Sequence, residues 1–107
     1  MVLHEPVKLA VKIEENIVEK TLKKFGFEIK NKEFGILDLL YVDHYYLEYF
    51  GEPYELRIEF HGGIGRTADL TFKGFNKEIS GYISANYFDD MFEKCFKRMV
   101  SEFNIGE

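Results

Sequence analysis

Tyr54-Glu-Leu-Arg-Ile-Glu-Phe-His61 alternates without a break: Tyr54, Leu56, Ile58 and Phe60 fall on one side, Glu55, Arg57, Glu59 and His61 on the other. Successive side chains of a strand point to opposite faces, so this is the pattern of a strand buried on one side and wet on the other. Residues 67–73 repeat it, with Ala68, Leu70 and Phe72 against Thr67, Asp69, Thr71 and Lys73. Gly62-Gly-Ile-Gly65 between them reads as a hairpin connection. A further strand is expected at 78–84, with Ile79, Gly81 and Ile83 inward, after a turn at Gly74-Phe-Asn-Lys77.

Moving toward the N-terminus, residues 37–50 are aromatic and β-branched with no clean alternation. That suits a strand touched on both faces, or one carrying a bulge. Gly51-Glu-Pro53 is turn material. Residues 27–35 read as a connection of unassigned form. Residues 6–25 read best as an amphipathic helix. Pro6 suits a first turn, one half of the wheel holds Val7, Ala10, Val11, Ile13, Ile17, Val18, Leu22 and Phe25, and Gly26 is a natural stop. A strand over residues 7–13 is the competing reading. At the other end, Asn86 and Asp89 suggest a capping-box-like start. Phe88, Met91, Phe92, Cys95, Phe96, Met99 and Phe103 then form a continuous apolar stripe on a second helix.

The expected fold is therefore α+β in two layers: an antiparallel sheet of three or four strands covered on one face by N-terminal and C-terminal helices. With 107 residues, a single domain spanning 1–107 is expected. Eleven Phe and seven Tyr exclude a chain that stays open. No apolar run reaches the ~18–20 residues that a membrane-spanning helix needs. The N-terminus lacks the pattern of a signal peptide. The single Cys95 has no internal disulfide partner, so a reducing, cytoplasmic setting is expected.

The net charge of −5 disfavours direct binding of nucleic acid. Its distribution is uneven. From Glu33 to Glu55 there are six acids, five tyrosines and no Lys or Arg. Tyrosine offers rigid amphipathic contact area and carboxylates steer a cationic partner. An expected partner-binding strip follows: Asp38, Asp43, Tyr45, Glu48, Tyr49, Glu52, Tyr54, Glu55 and Glu59. The plainer reading is that the acids solubilise the sheet while the tyrosines pack half-buried. Phe75, in a turn, either folds back onto the sheet end or is an exposed anchor for a partner.

Signs of catalysis are sparse. His61 and Glu59 share a face and could meet Asp43 or Glu48 across the ladder as metal ligands, but no metal-binding spacing supports this and no cofactor is expected. Cys95 lies mid-stripe, where a free cysteine is usually a small hydrophobe. His61-Gly-Gly-Ile-Gly-Arg66 lacks the helix and the Lys-Ser/Thr of a phosphate loop.

In its order of elements and its acidic strip, the chain resembles small phage-encoded inhibitors of bacterial defence, the anti-CRISPR proteins. The resemblance covers architecture and carries over no site residues. It implies a non-enzymatic inhibitor that docks a basic, nucleic-acid-binding surface of a target protein. Two alternatives stand beside it. One is a metal- or small-ligand-binding protein or enzyme using the polar sheet face around His61. The other is a homodimer of chaperone or immunity type, paired through the aromatic strand at 37–50.

Overall fold

The computed structural model describes residues 17–37, 40–61 and 67–103. The chain is helical from residue 17 to residue 24 (α1), and residues 6–16, including the helix-or-strand question at 7–13, lie outside the described part. Five strands follow: β1 (Glu28–Leu37), β2 (Leu40–Tyr49), β3 (Glu52–His61), β4 (Thr67–Gly74) and β5 (Lys77–Ser84). A single turn of 3-10 helix at Ala85–Tyr87 leads into α2 (Phe88–Glu102).

The strands form one antiparallel sheet in the order β1-β2-β3-β4-β5. The α+β class and the positions of β3, β4 and β5 agree with the alternation in the sequence, but the sheet has five strands, not three or four. The extra one is β1, in the segment read as a connection. Its run Glu28-Ile-Lys-Asn-Lys-Glu33 is mostly polar because β1 is an edge strand, and a register shift between Ile29 and Asn31 breaks its period.

α1 ends in a Schellman arrangement. The Phe27 N–H donates to the Leu22 carbonyl and the Gly26 N–H to that of Lys23, both at 3.0 Å. Gly26 has φ +89°, a conformation that costs glycine nothing. Leu22 and Phe27, the apolar pair that accompanies this motif, are both buried. Two hairpins close on two-residue loops, Phe50-Gly51 between the paired Tyr49 and Glu52, and Phe75-Asn76 between Gly74 and Lys77. All four loop residues have positive φ, the type I′ geometry whose twist matches the flanking strands.

One sheet face is the core. Tyr45 and Leu47 of β2, Tyr54 to Phe60 at even positions of β3, and Ala68, Leu70 and Phe72 of β4 lie under Val18 and Leu22 of α1 and Phe88, Phe92, Phe96 and Met99 of α2. Phe72 stands at its centre, stacked on Tyr54 (5.6 Å) and edge-on to Phe27, Phe96 and Phe103. Each such buried ring removes enough apolar surface from water to contribute roughly 1.5–3 kcal/mol. Two expectations for α2 are corrected. Tyr87, not Asn86, occupies the N-cap position and no described side chain caps the helix, because the 3-10 turn shifts its start. Met91 leaves the stripe and is exposed, and Cys95 is only half-buried. No described helix is long and apolar enough to cross a membrane.

Candidate functional site: the open sheet face

Both described helices contribute to the core on one face of the sheet, and among the described residues no element covers the other. That open face is the set of side chains at even positions of β2 and odd positions of β3 and β4, with their partners in β1 and β5. It carries Glu28 and Glu33 of β1, Glu48 of β2, Glu55 and Glu59 of β3, Asp69 of β4 and Glu78 of β5. Against these stand Arg57 and Lys73, with Lys30 reaching in from the β1 register shift toward Glu28 (3.3 Å) and Glu48 (3.9 Å). Among the described residues the face is therefore negative, and its strands set the carboxylates in rows at ~4.7–4.9 Å between neighbouring strands.

Its centre is a polar cluster at the β1–β2–β3 junction. His44 lies opposite Glu33 on one side and Arg57 on the other. Its Nε2 is 2.8 Å from Glu55 Oε1, and its ring stacks on Tyr46 at 4.5 Å. The Tyr46 phenol is held above its ordinary pKa of 10.0, first by desolvation, then by the Glu33 and Glu55 carboxylates, and last by donating a hydrogen bond to Glu33. A second cluster lies toward the far end of β3. Glu59 pairs directly with Asp69 across the ladder. His61 Nε2 is 2.9 Å from Asp69 Oδ2 and 3.7 Å from Glu59 Oε2, while Arg57 Nη2 is 3.0 Å from Glu59 Oε1.

The strip expected from the sequence does not exist as one patch, because a strand's period of two divides it. Asp43 and Tyr45 are 1% and 0% exposed and point into the helix-covered side, as does Tyr54 at 5%. Tyr49 is partly buried against the same core. Lys32 stands over the Tyr45 ring at 5.2 Å and reaches within 4.0 Å of Asp43. Glu48, Glu55 and Glu59 do reach the open face, and Glu52 is exposed beside the Phe50-Gly51 loop. Phe75 is exposed yet sets its ring edge-on against Tyr54 at 5.4 Å, so it is both a lid on the sheet end and a surface ring. Asp38 and Gly62–Gly65 lie outside the described residues.

His61 does meet Glu59, but the third member is Asp69. Asp43 is on the opposite face and Glu48 at the other end of β2. Asp69 was readable in advance: closing the hairpin between the two alternating segments sets Glu59 opposite Asp69. Pairing through residues 37–50 is also corrected. β2 is an interior strand, and among the described residues the edge strands are β1 and β5. Cys95, on the helix-covered side, is separated by the sheet from His44 and His61. Its thiol is raised by burial, an effect that Arg98 partly offsets.

No family model, no curated protein and no solved structure matches the chain.

Proposed function

We propose that the chain is a non-enzymatic protein-binding module whose open sheet face docks a basic surface, with carboxylates taking the place that phosphates would occupy in a nucleic-acid-binding groove. The observation that carries this reading is the open face itself, on which, among the described residues, seven acids stand against Arg57, Lys73 and Lys30. A rigid array of like charges is costly to maintain for stability alone, since like charges across a ladder repel. It is useful where long-range attraction speeds encounter with a cationic partner. Tyr46 and His44, stacked at the centre, add flat contact area within the charged field. In this reading the chain works as an inhibitor, in the manner of the anti-CRISPR proteins it resembles in architecture.

The test uses an Arg/Lys-rich peptide of about twenty residues as the probe, at roughly 50 and 200 mM salt. Triple reversal on the face (Glu33→Lys, Glu55→Lys, Glu59→Lys) is compared with triple reversal on α2 (Asp89→Lys, Asp90→Lys, Glu102→Lys), which changes net charge equally. The reading requires that only the first abolishes binding and its salt dependence. Equal losses would reduce the effect to net charge and dismiss it.

A second reading is favoured by one specific observation. Donor atoms of Glu59, His61 and Asp69 all lie within 4.8 Å of one another. Two ligands bound at ~2.0–2.1 Å to one ion stand at most ~4.2 Å apart, so these side chains would have to draw together to close on an ion, and a mixed nitrogen–oxygen set suits Zn²⁺, Co²⁺ or Ni²⁺. A cation there would also relieve the repulsion between Glu59 and Asp69. A rise in Tm with Zn²⁺ that disappears in His61→Ala supports this reading, and no rise dismisses it.

A further inference from the structure

The β5 edge of the sheet carries different chemistry. Where α2 packs beside β5, a groove of about 490 Å³ opens, lined on the strand side by Tyr82 and Ile83 and on the helix side by Tyr87, Met91, Lys94 and Arg98. Two of these six are large apolar or aromatic groups left in water on the helix side, Tyr87 and Met91, whereas Tyr82, paired with Asp69, turns its ring to the open face. Among the described residues, the charged side chains lining the groove are Lys94 and Arg98, both cations, on a chain whose net charge is −5. The two lie one helical turn apart on one face of α2.

We infer that this groove receives an extended peptide segment that adds a sixth strand to the outer edge of β5 and seats an acidic side chain between Lys94 and Arg98. The inference concerns a surface separate from the acidic face and does not depend on it.

Four observations carry it. β5 is the last strand of the sheet, so along its eight residues the outward backbone N–H and C=O groups have no strand partner among the described residues. Strand addition at such an edge supplies main-chain hydrogen bonds, while pockets for alternate side chains supply specificity. The groove floor is shaped for a guanidinium: a Cβ on Gly81 would stand 3.1 Å from Arg98 Nη2 and 3.2 Å from Cys95 Sγ. Glycine there lets Arg98 lie against the strand at the base of the groove.

Charge selects the occupant. Pairing β5 with β5 of a second copy about a two-fold axis would bring Lys94 and Arg98 of both copies toward each other, which disfavours a homodimer through this edge. An acidic segment meets no such penalty.

Spacing then selects the pattern. Gly81 packs against Cys95, Arg98 and Met99, while Ser84 leads through the 3-10 turn to the start of α2, so β5 and α2 run in opposite directions. Every pair in this sheet is antiparallel, and a guest antiparallel to β5 runs in the direction of α2. Its helix-facing side chains recur every ~6.6–7 Å. The midpoint of Lys94 and Arg98 lies ~7.5 Å along the helix axis from Met91. The fitting motif is therefore an apolar residue over Tyr87 and Met91, one residue of any kind, then Asp or Glu.

The test is fluorescence anisotropy with a labelled eight-residue peptide of alternating Thr and Val carrying Phe-Thr-Glu at its centre. Saturable binding is expected, weakened about tenfold or more when Glu is replaced by Lys, when Phe and Glu exchange places, and in the protein variant K94E/R98E, whose two sites are exposed. Should that variant misfold, the wild-type protein must still show binding that weakens with salt and perturbs the backbone amides of Lys77–Ser84 in NMR spectra. Absence of saturable binding, equal binding of the Lys peptide, amide changes away from β5, or equal affinity for an aromatic carboxylate lacking a peptide backbone would each overturn the inference. A dimer joined through β5 in light scattering and NMR would overturn it as well.

Discussion

Replacing Gly74 by alanine puts two opposed effects on one residue. Gly74 closes β4 and its φ is not in the left-handed region, so its backbone accepts an L-residue. In a site with room, alanine for glycine stabilises by ~0.4–1 kcal/mol, because the unfolded chain loses freedom. Gly74 has no room. A Cβ would stand 2.5 Å from Tyr54 Cδ1 and 2.8 Å from Cε1. The Tyr54 ring cannot step aside cheaply: Phe72 stacks on it, and Phe27, Phe75 and Phe103 meet it edge-on at 5.4–6.0 Å. Forcing a methyl into such a cluster costs ~1–3 kcal/mol. The expected net effect is a loss of ~1–2 kcal/mol, measured by urea denaturation with an unchanged m-value. In a Tyr54→Leu background the obstructing ring is gone, and the same substitution should be neutral or stabilising by a few tenths of a kcal/mol. A coupling of ~1–2 kcal/mol across the double-mutant cycle is the signature. The same loss in both backgrounds would show that the ring does not oppose the Cβ, and the packing described at this end of the sheet would be wrong.

Three further outcomes follow from other features. Phe96→Ala removes a fully buried ring that meets Phe25, Phe27, Phe72 and Phe92, and should cost ~3–5 kcal/mol in chemical denaturation. Phe50→Asn should stabilise by roughly 0.5–1 kcal/mol, since Phe50 is 88% exposed at φ +48°, a conformation Asn adopts more readily, and a denaturation midpoint that falls instead would contradict this. The Cys95 thiol is raised from its ordinary value of 9.0, chiefly by burial. Its protonated form is thus favoured by folding, and the associated stability is complete below pH 9 and lost as pH rises through the higher folded value. Cys95→Ser should flatten the alkaline decline of Tm, and an unchanged decline would count against it.

How much of this was legible in the sequence depends on how closely each strand keeps to one polar and one apolar face. β3, β4 and β5 do, and their inward residues were readable one by one. β2 does not: Asp43 occupies a core position while Val42 and Tyr46 face out, so apolar and polar residues fall on both sides of the alternation. β1 was missed because an edge strand with a register shift buries little and repeats nothing. The acidic strip was visible as composition, but composition does not say which face a residue takes. The period of two divides it, sending Tyr45 and Tyr54 to the core and Glu48, Glu55 and Glu59 to the open side. Glu33 joins the face only through pairing with β1, whereas Asp69 follows once the β3–β4 hairpin is closed in register. The Lys94–Arg98 groove arises where α2 meets the sheet edge, a juxtaposition no local pattern encodes.

Whether the open face is the docking surface can be read residue by residue from ¹⁵N–¹H spectra recorded while the Arg/Lys-rich peptide is titrated in. Shifts should concentrate at Glu33, His44, Tyr46, Glu55, Glu59 and Asp69 and fade as salt is raised. Shifts concentrated on α2, or none at any of these six, would contradict docking on the open face.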